Sequence, residues 1–171
     1  MQQTKTITFN NLKTESLKLI VLFGLAILAP LIQNQLITGT IVNAILFISV
    51  CVLGFRKALL IAFFPSLISL GIGLLPAVMA PMIPFIILGN IILVGLFAML
   101  KNKNYWLAAA SGAIIKFVWL LITSQIIISL FIKGAVSTKI AAMMSWPQLV
   151  TAIFGSVVAY FLKDFFLKSK N

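Results

Sequence analysis

Long apolar runs separated by short polar stretches dominate the chain. A membrane-spanning helix takes about 20 apolar residues, and most of these runs approach or exceed that length. They lack the strict alternation and ~10-residue spacing of membrane β-strands. The six runs cover approximately residues 17–34, 39–55, 57–73, 82–100, 105–131 and 145–166. The pattern therefore predicts an all-α membrane protein, a bundle of six transmembrane helices forming a single domain over residues 1–171.

The first run has a second interpretation, a cleavable signal peptide, because basic residues precede it. The stretch that follows, "LAPLIQNQLITG", lacks a clean small-x-small cleavage site. The run is also long enough to span a bilayer. We therefore expect the N-terminus to remain attached and the first run to form a helix of the bundle.

Basic residues indicate the orientation of the predicted bundle. Apart from Lys116, they flank the runs, and most fall on one side. That side holds Lys5, Lys13, Lys18, Arg56, Lys57, Lys101, Lys103, Lys163, Lys168 and Lys170, and the other side holds Lys133 and Lys139. The positive-inside rule then places both termini in the cytoplasm of a multi-pass cell-membrane protein. The net charge of +11 is explained by this topology and by contact with anionic lipid, so nucleic acid is not an expected partner.

The scarcity of acidic, histidine and cysteine residues limits the kinds of functional site that the chain can form. The chain has no histidine and only two acids, Glu15 and Asp164, which lie at the predicted cytoplasmic margin. Proton relays, catalytic triads and metal sites are built from carboxylate, imidazole or thiolate groups. In the predicted spans these groups are absent, or, like the thiol of the single cysteine, isolated. Cys51 is the single cysteine and is expected to be a small core residue. We therefore expect no catalytic residue, no metal and no cofactor.

Lys116 is the most costly residue within the apolar runs. At 1.5 Å per residue from Tyr105 it lies about 16 Å into the bilayer, near the midplane. A lysine there costs roughly 2.5–3.5 kcal/mol on insertion scales, so it should face a cavity or a partner. Helical spacing places it on one stripe with Gly112, Trp119 and Thr123.

This stripe predicts a binding site for a small organic ligand that carries a carboxylate or carbonyl groups. Lys116 would supply a cation, Trp119 an indole face and Thr123 a hydroxyl. Gly112 is more simply explained by close contact with a neighbouring helix. The alternative for Lys116 is a bond to helix-end carbonyls, or snorkelling through a kinked helix towards the cytoplasm.

Two further polar residues, Asn90 and Gln148, also lie within the runs. Asn90 follows Gly89 on the fourth run, where it either bonds across a close helix contact or touches a ligand. Gln148 has capping-box spacing from Ser145, so it either contacts a ligand or only caps the last helix. Both alternatives stay open on the sequence.

The layout resembles the substrate-binding S components of energy-coupling factor (ECF) transporters. The resemblance rests on the central run "TGTIVNAILFISVCVLGFRKALLIAFFPSLISLGIGLLPAVMAPMIPFIILGN". It contains a short helix, a basic turn, a third helix, a proline-rich outer loop and a Gly-Asn-bearing fourth helix, in the family's order. The likeness covers about residues 17–166.

Several expectations follow from this resemblance alone. It implies capture of a vitamin or similar micronutrient from outside, without catalysis by the chain itself. It also implies docking on a transmembrane T component driven by two cytoplasmic ATPases. Family pockets form mainly from helices 4 to 6 and the outer loops, here residues 34–39, 74–81 and 132–144. The implied substrate-binding residues are Asn90, Lys116, Trp119, Thr123 and Gln148.

Helix 1 of the family often presents an A-x-x-x-A face to the T component. Here "GLAILAPLI" places Ala26 and Pro30 at that spacing, with Gly24 and Ala29 nearby. The alternative for these four residues is packing within the bundle. For the whole chain, the alternatives are a non-catalytic scaffold subunit of a membrane complex and, less in keeping with its residues, a lipid-modifying enzyme.

Overall fold

The structure, a computed structural model, describes residues 2–131 and 135–168, with side chains over 13–130 and 137–168. These ranges are almost entirely helical and contain no β-strand, so the all-α prediction is confirmed for them. The helices are α1 (Gln2–Leu28), α2 (Gln35–Val52), α3 (Phe55–Gly71), α4 (Ile83–Leu100), α5 (Tyr105–Phe131), α6 (Ala135–Met143) and α7 (Trp146–Lys168). Two 3₁₀ helices, Ala29–Ile32 and Ala77–Met82, precede α2 and α4.

Helix boundaries differ from the predicted runs at the N-terminal end and at two connections. α1 begins at Gln2, well before the predicted position 17. The side-chain oxygen of Asn34 accepts hydrogen bonds from the amides of Leu36 and Ile37, so α2 begins four residues before the predicted position 39. Residues 132–144, predicted as an outer loop, contain the short helix α6. The six predicted runs correspond to α1–α5 and α7.

Among the described residues, five segments are long and apolar enough to cross a membrane, which supports a multi-pass membrane protein. They are Lys13–Ile32, Gln35–Val52, Ala77–Leu100, Tyr105–Leu130 and Ser137–Lys168. The remaining long helix, α3, has 17 residues and is therefore about 26 Å long at 1.5 Å per residue. Its length falls just short of the usual hydrocarbon thickness of about 30 Å.

Glycines permit the closest helix contacts, between α2 and α7 and between α4 and α5. A Cβ atom on Gly155 of α7 would lie 2.7 Å from the Asn43 Cβ on α2. On α5, a Cβ on Gly112 would lie 3.1 Å from the Leu93 backbone oxygen on α4. Lipid tails are as apolar as the side chains, so association of spans depends on this close packing. The packing interpretation of Gly112 agrees with this contact.

A polar layer separates two apolar clusters within the bundle. One cluster includes Leu93 and Phe97 on α4 with Ala109 and Ala113 on α5. The other includes the first turns of α4 and the second half of α5, with Met144 before α7. Asn90 and Lys116 lie between the two clusters. Asn43, Asn90 and Lys116, all buried, form this polar layer about midway along α2, α4 and α5.

Basic residues gather at one end of the bundle. The Lys57 Nζ on α3 lies 2.6 Å from the Glu15 carboxylate on α1, and the Lys101 Nζ donates to the Val50 carbonyl at 3.3 Å. These contacts bring the start of the α1 span, the α2–α3 turn and the α4–α5 turn together. Lys133, Lys170 and the side chain of Lys5 fall outside the described part of the chain.

Candidate functional site

Lys116 is buried in the polar layer and held by two asparagines. Only 3% of the residue is exposed. Its Nζ donates to the Asn43 Oδ1 on α2 at 2.7 Å and to the Asn90 Oδ1 on α4 at 2.8 Å. Both acceptors are side-chain amides, so neither helix-end carbonyls nor snorkelling accounts for its position. The lysine thus links three spans near their centres.

Further hydrogen bonds orient each asparagine towards the lysine. The Asn43 Nδ2 donates to the Thr151 Oγ1 on α7 at 3.3 Å, and the Asn90 Nδ2 donates to the Ala62 carbonyl on α3 at 3.2 Å. With both amide nitrogens occupied, the two amide oxygens point at the Lys116 amine. The network therefore connects α2, α3, α4, α5 and α7.

Lys116, Asn43 and Asn90 line a partly open cavity of about 80 Å³. The cavity extends towards the end of the bundle opposite the basic cluster, where the α1–α2, α3–α4 and α6–α7 connections lie. Its other lining residues include Gln35, Thr38, Ser66, Ser69, Leu75, Met144, Gln148 and Thr151. Ser66 is buried and has no hydrogen-bond partner among the described residues, so its hydroxyl is available within the cavity. A volume of 80 Å³ holds a small polar group or a few waters, and typical ligand pockets are about 300–1,000 Å³.

Two glutamines narrow the mouth of the cavity, at the end away from Lys116. The side-chain amides of Gln35 and Gln148 both donate to the carbonyl of Met143, at 2.9 and 3.1 Å. Met143 is the last residue of α6. These two bonds connect the starts of α2 and α7 to the short helix and narrow the approach to Lys116.

The Lys116 amine has no carboxylate partner in the part of the chain that the structure describes. The only acids in the sequence are Glu15 and Asp164. Glu15 pairs with Lys57 at 2.6 Å, and Asp164 lies 3.4 Å from Lys163, both at the basic end. A buried cation with only neutral partners is costly, and an anion in the cavity would offset that cost.

Of the five predicted ligand residues, the structure brings Asn90, Lys116 and Gln148 to the cavity. Trp119 and Thr123 do not line it. The Trp119 Nε1 donates to the Phe85 carbonyl at 2.9 Å, and the Thr123 hydroxyl donates to the Trp119 carbonyl of its own helix at 2.7 Å. Shared spacing on α5 therefore does not place these two side chains in one site.

Gln148 does not complete the capping box suggested by its spacing. The Ser145 hydroxyl donates to the Ala142 carbonyl at 2.8 Å. The backbone N–H of Gln148 donates to the Ser145 backbone carbonyl at 3.0 Å. The Gln148 side chain instead reaches Met143, as described above. Its position at the cavity is thus independent of helix capping.

Three of the four residues predicted for partner docking lie inside the bundle. Ala26 and Ala29 belong to the larger apolar cluster, and Pro30 is also buried. Gly24 is half-buried, with open space where a Cβ would stand. The small residues of this stretch therefore pack largely against neighbouring helices, which was the alternative explanation, and only Gly24 borders the outer surface.

Asn43 and Thr151 belong to the site but were not predicted from the sequence. Asn43 is a lone asparagine within the apolar run of α2, as Asn90 is within α4. The cost of burying an unpaired amide marks both residues equally as candidates for an intramembrane network. Thr151 carries a weaker signal, because a threonine hydroxyl can bond its own helix.

The donor set suits an oxygen-rich organic ligand better than a metal ion. The described residues contain no group of three or more histidine, cysteine, aspartate or glutamate side chains. The cavity instead offers one amine, amide groups and hydroxyls, which recognise carboxylate or carbonyl oxygens. No protein-family model, curated protein or solved structure matches this chain.

Proposed function

We propose that the chain is a membrane receptor for a small organic micronutrient, acting as the S component of an ECF-type importer. In this proposal the six long helices all cross the cell membrane, with both termini in the cytoplasm. The substrate enters from outside and is delivered by docking on a T component with two cytoplasmic ATPases. The chain itself is not an enzyme.

One observation carries the proposal, the buried Lys116 amine at the wall of a cavity, with no carboxylate partner among the described residues. As an ammonium group it has three N–H donors, and the two asparagines use two of them. The third is free to bond a carboxylate or carbonyl oxygen of a ligand. Ser66 and Gln148 stand around the same space, and each has an N–H or O–H donor for further ligand oxygens.

The distribution of charge supports entry from the outside. The basic cluster marks one end of the bundle, and the positive-inside rule assigns that end to the cytoplasm. The cavity lies towards the opposite end, where Lys139 is the single basic residue among the described residues. A cavity on that side receives a solute from outside the cell.

The cavity volume limits how the ligand is held. At about 80 Å³ it accommodates a carboxylate or carbonyl head, not a whole vitamin-sized molecule. The remainder of the ligand requires the mouth to widen, and the two hydrogen bonds to Met143 are the contacts that would break. Loss of two neutral hydrogen bonds costs about 1–3 kcal/mol, which binding contacts of the ligand can offset.

The same small volume favours a second candidate function, a non-catalytic scaffold subunit. In that case Lys116, Asn43 and Asn90 only connect spans, and no solute enters. Ligand-dependent stabilisation separates the two functions, because a scaffold gains none.

The test is a thermal-unfolding screen of the purified chain with vitamins and small organic acids. At least one carboxylate or carbonyl compound should raise the melting temperature of the wild type and leave Lys116→Met unchanged. Thr123→Val is the matched control on the same helix, because its hydroxyl bonds within α5 and lies outside the cavity. It should retain the full shift. A compound that stabilises wild type and Lys116→Met equally would remove the lysine from the site.

Docking is tested separately on the outer face of α1. Gly24 has open space beside it, so Gly24→Trp should fold and bind substrate while losing co-purification with the T component and ATPases. A bulky residue at Ala26, which is buried, should instead impair folding. Unchanged co-purification of Gly24→Trp would exclude this face as the docking surface.

A further inference from the structure

A second buried lysine lies at the basic end of the bundle, far from the cavity. Lys18 on α1 is only 7% exposed. It makes no hydrogen bond and no ion pair with any other described residue, unlike Lys57 and Lys101 at the same end. A largely buried cation without a partner among the residues whose side chains are described is costly, and an external anionic group would offset that cost.

Lys18 lines a groove of about 440 Å³ between the start of the α1 span and the end of α7. Its walls are apolar and consist of Leu17, Val21, Phe165 and Phe166, while Lys168 contributes a second cation. No carboxylate is among these lining residues. The groove thus combines two positive charges with an extended apolar surface.

The depth of Lys18 matches the boundary between lipid headgroups and acyl chains. Lys18 lies one helical turn past Glu15, which pairs with Lys57 at the basic end, and the residues that follow it on α1, Ile20 and Val21, are exposed and apolar. A phosphate lies near this depth in a bilayer, and acyl chains continue beyond it. Phe165, which is 75% exposed, offers a flat apolar surface beside the same groove.

We propose that the groove between α1 and α7 is a binding site for an anionic phospholipid. The phosphate bonds Lys18 and Lys168, and an acyl chain lies along Leu17, Val21 and Phe166. Basic pockets between helices at the cytoplasmic face are a recognised mode of binding anionic headgroups. The site is separate from the Lys116 cavity, so it does not depend on the function proposed for that cavity.

Two properties favour a lipid over a soluble phosphate compound. The walls are apolar, and a soluble anion would leave them without contacts. The groove also faces the surface that the apolar segments of α1 and α7 expose, where lipid is the immediate neighbour. A lipid supplies both the charge for the lysines and the hydrocarbon for the walls.

The experiment is native mass spectrometry of the full-length purified chain with phosphatidylglycerol or phosphatidylcholine of identical acyl chains. Wild type should retain phosphatidylglycerol preferentially. Lys18→Met keeps the length and apolar stem of the side chain and should weaken phosphatidylglycerol binding about fivefold, the effect of one lysine near an anionic lipid. Lys103→Met removes an exposed charge from the same end and should have a much smaller effect.

Val21→Trp tests the acyl-chain contact. It fills the groove without altering charge and should weaken binding of both lipids. Equal retention of the two lipids by wild type, or phosphatidylglycerol binding by Lys18→Met as strong as by wild type, would overturn the proposal. Equal binding of glycerol phosphate, which has no acyl chains, would assign the groove to a soluble anion instead. Loss of ATPase co-purification in Lys18→Met without any change in lipid binding would assign it to a protein partner.

Discussion

Removal of Asn90 should destabilise the protein more than removal of the lysine that it binds. Asn90→Leu leaves Lys116 buried with one acceptor, Asn43, instead of two. A hydrogen bond to a charged group contributes about 1.5–3 kcal/mol. Loss of the Asn90 bond to the Ala62 carbonyl adds about 0.6 kcal/mol, the average for interhelical bonds in membranes. We therefore expect the free energy of unfolding to fall by about 2–3.5 kcal/mol.

Lys116→Met should lower the free energy of unfolding by about 0.5–2.5 kcal/mol, less than Asn90→Leu. It loses both lysine hydrogen bonds but also removes the cost of about 2.5–3.5 kcal/mol for a lysine near the midplane. In the Lys116→Met background, Asn90→Leu should then cost only about 0.6 kcal/mol. The coupling energy between the two positions is therefore about 1.5–3 kcal/mol.

The assay is reversible unfolding in mixed micelles, followed by circular dichroism, for wild type, both single variants and the double variant. Thr123→Val serves as the control, because its hydroxyl bonds only its own helix. If Asn90→Leu costs no more than Thr123→Val and the two changes are additive, Lys116 does not depend on Asn90 and the described network is wrong.

Three further predictions concern packing, capping and orientation. Gly155→Ala should lower the free energy of unfolding by about 1–3 kcal/mol, because its Cβ would overlap α2, whereas Gly24→Ala has open space and should not destabilise. Asn34→Ala should cost about 1 kcal/mol in the same assay through loss of the α2 cap, and an unchanged value would show that the cap is dispensable. Orientation is tested with single cysteines in a chain that lacks its native cysteine. An impermeant maleimide applied to intact cells should label Lys139→Cys, and it should label Lys103→Cys only after permeabilisation. The opposite labelling pattern would show that the proposed orientation is inverted.

The helices were predictable because long apolar runs have few alternatives in a membrane. The run at 105–131 coincides with α5, since "KNKN" before it contains the polar residues that end the preceding helix. The start of α2 was missed because capping by Asn34 depends on local geometry at a single residue. The short helix α6 was missed because nine residues of mixed polarity carry little periodic signal.

The site was predictable only in part. Lys116 and Asn90 were identifiable because a buried polar group is costly wherever it lies. The second acceptor of the lysine, Asn43, comes from a different helix, 73 residues away from the lysine along the chain. Trp119 and Thr123 share a stripe with Lys116, yet the neighbouring helices decide which space each side chain enters. For the same reason, small residues such as Ala26 do not reveal from sequence whether they pack inside or face a partner.

The most direct test of the central claim is mass spectrometry of small molecules released from the purified chain, compared with Lys116→Met purified in parallel. We expect a compound with a carboxylate or carbonyl group to be released from wild type in near-stoichiometric amount and to be absent from the variant. Identical small-molecule content in the two preparations, or no released compound from wild type at high yield, would contradict the claim that the Lys116 cavity holds an organic ligand.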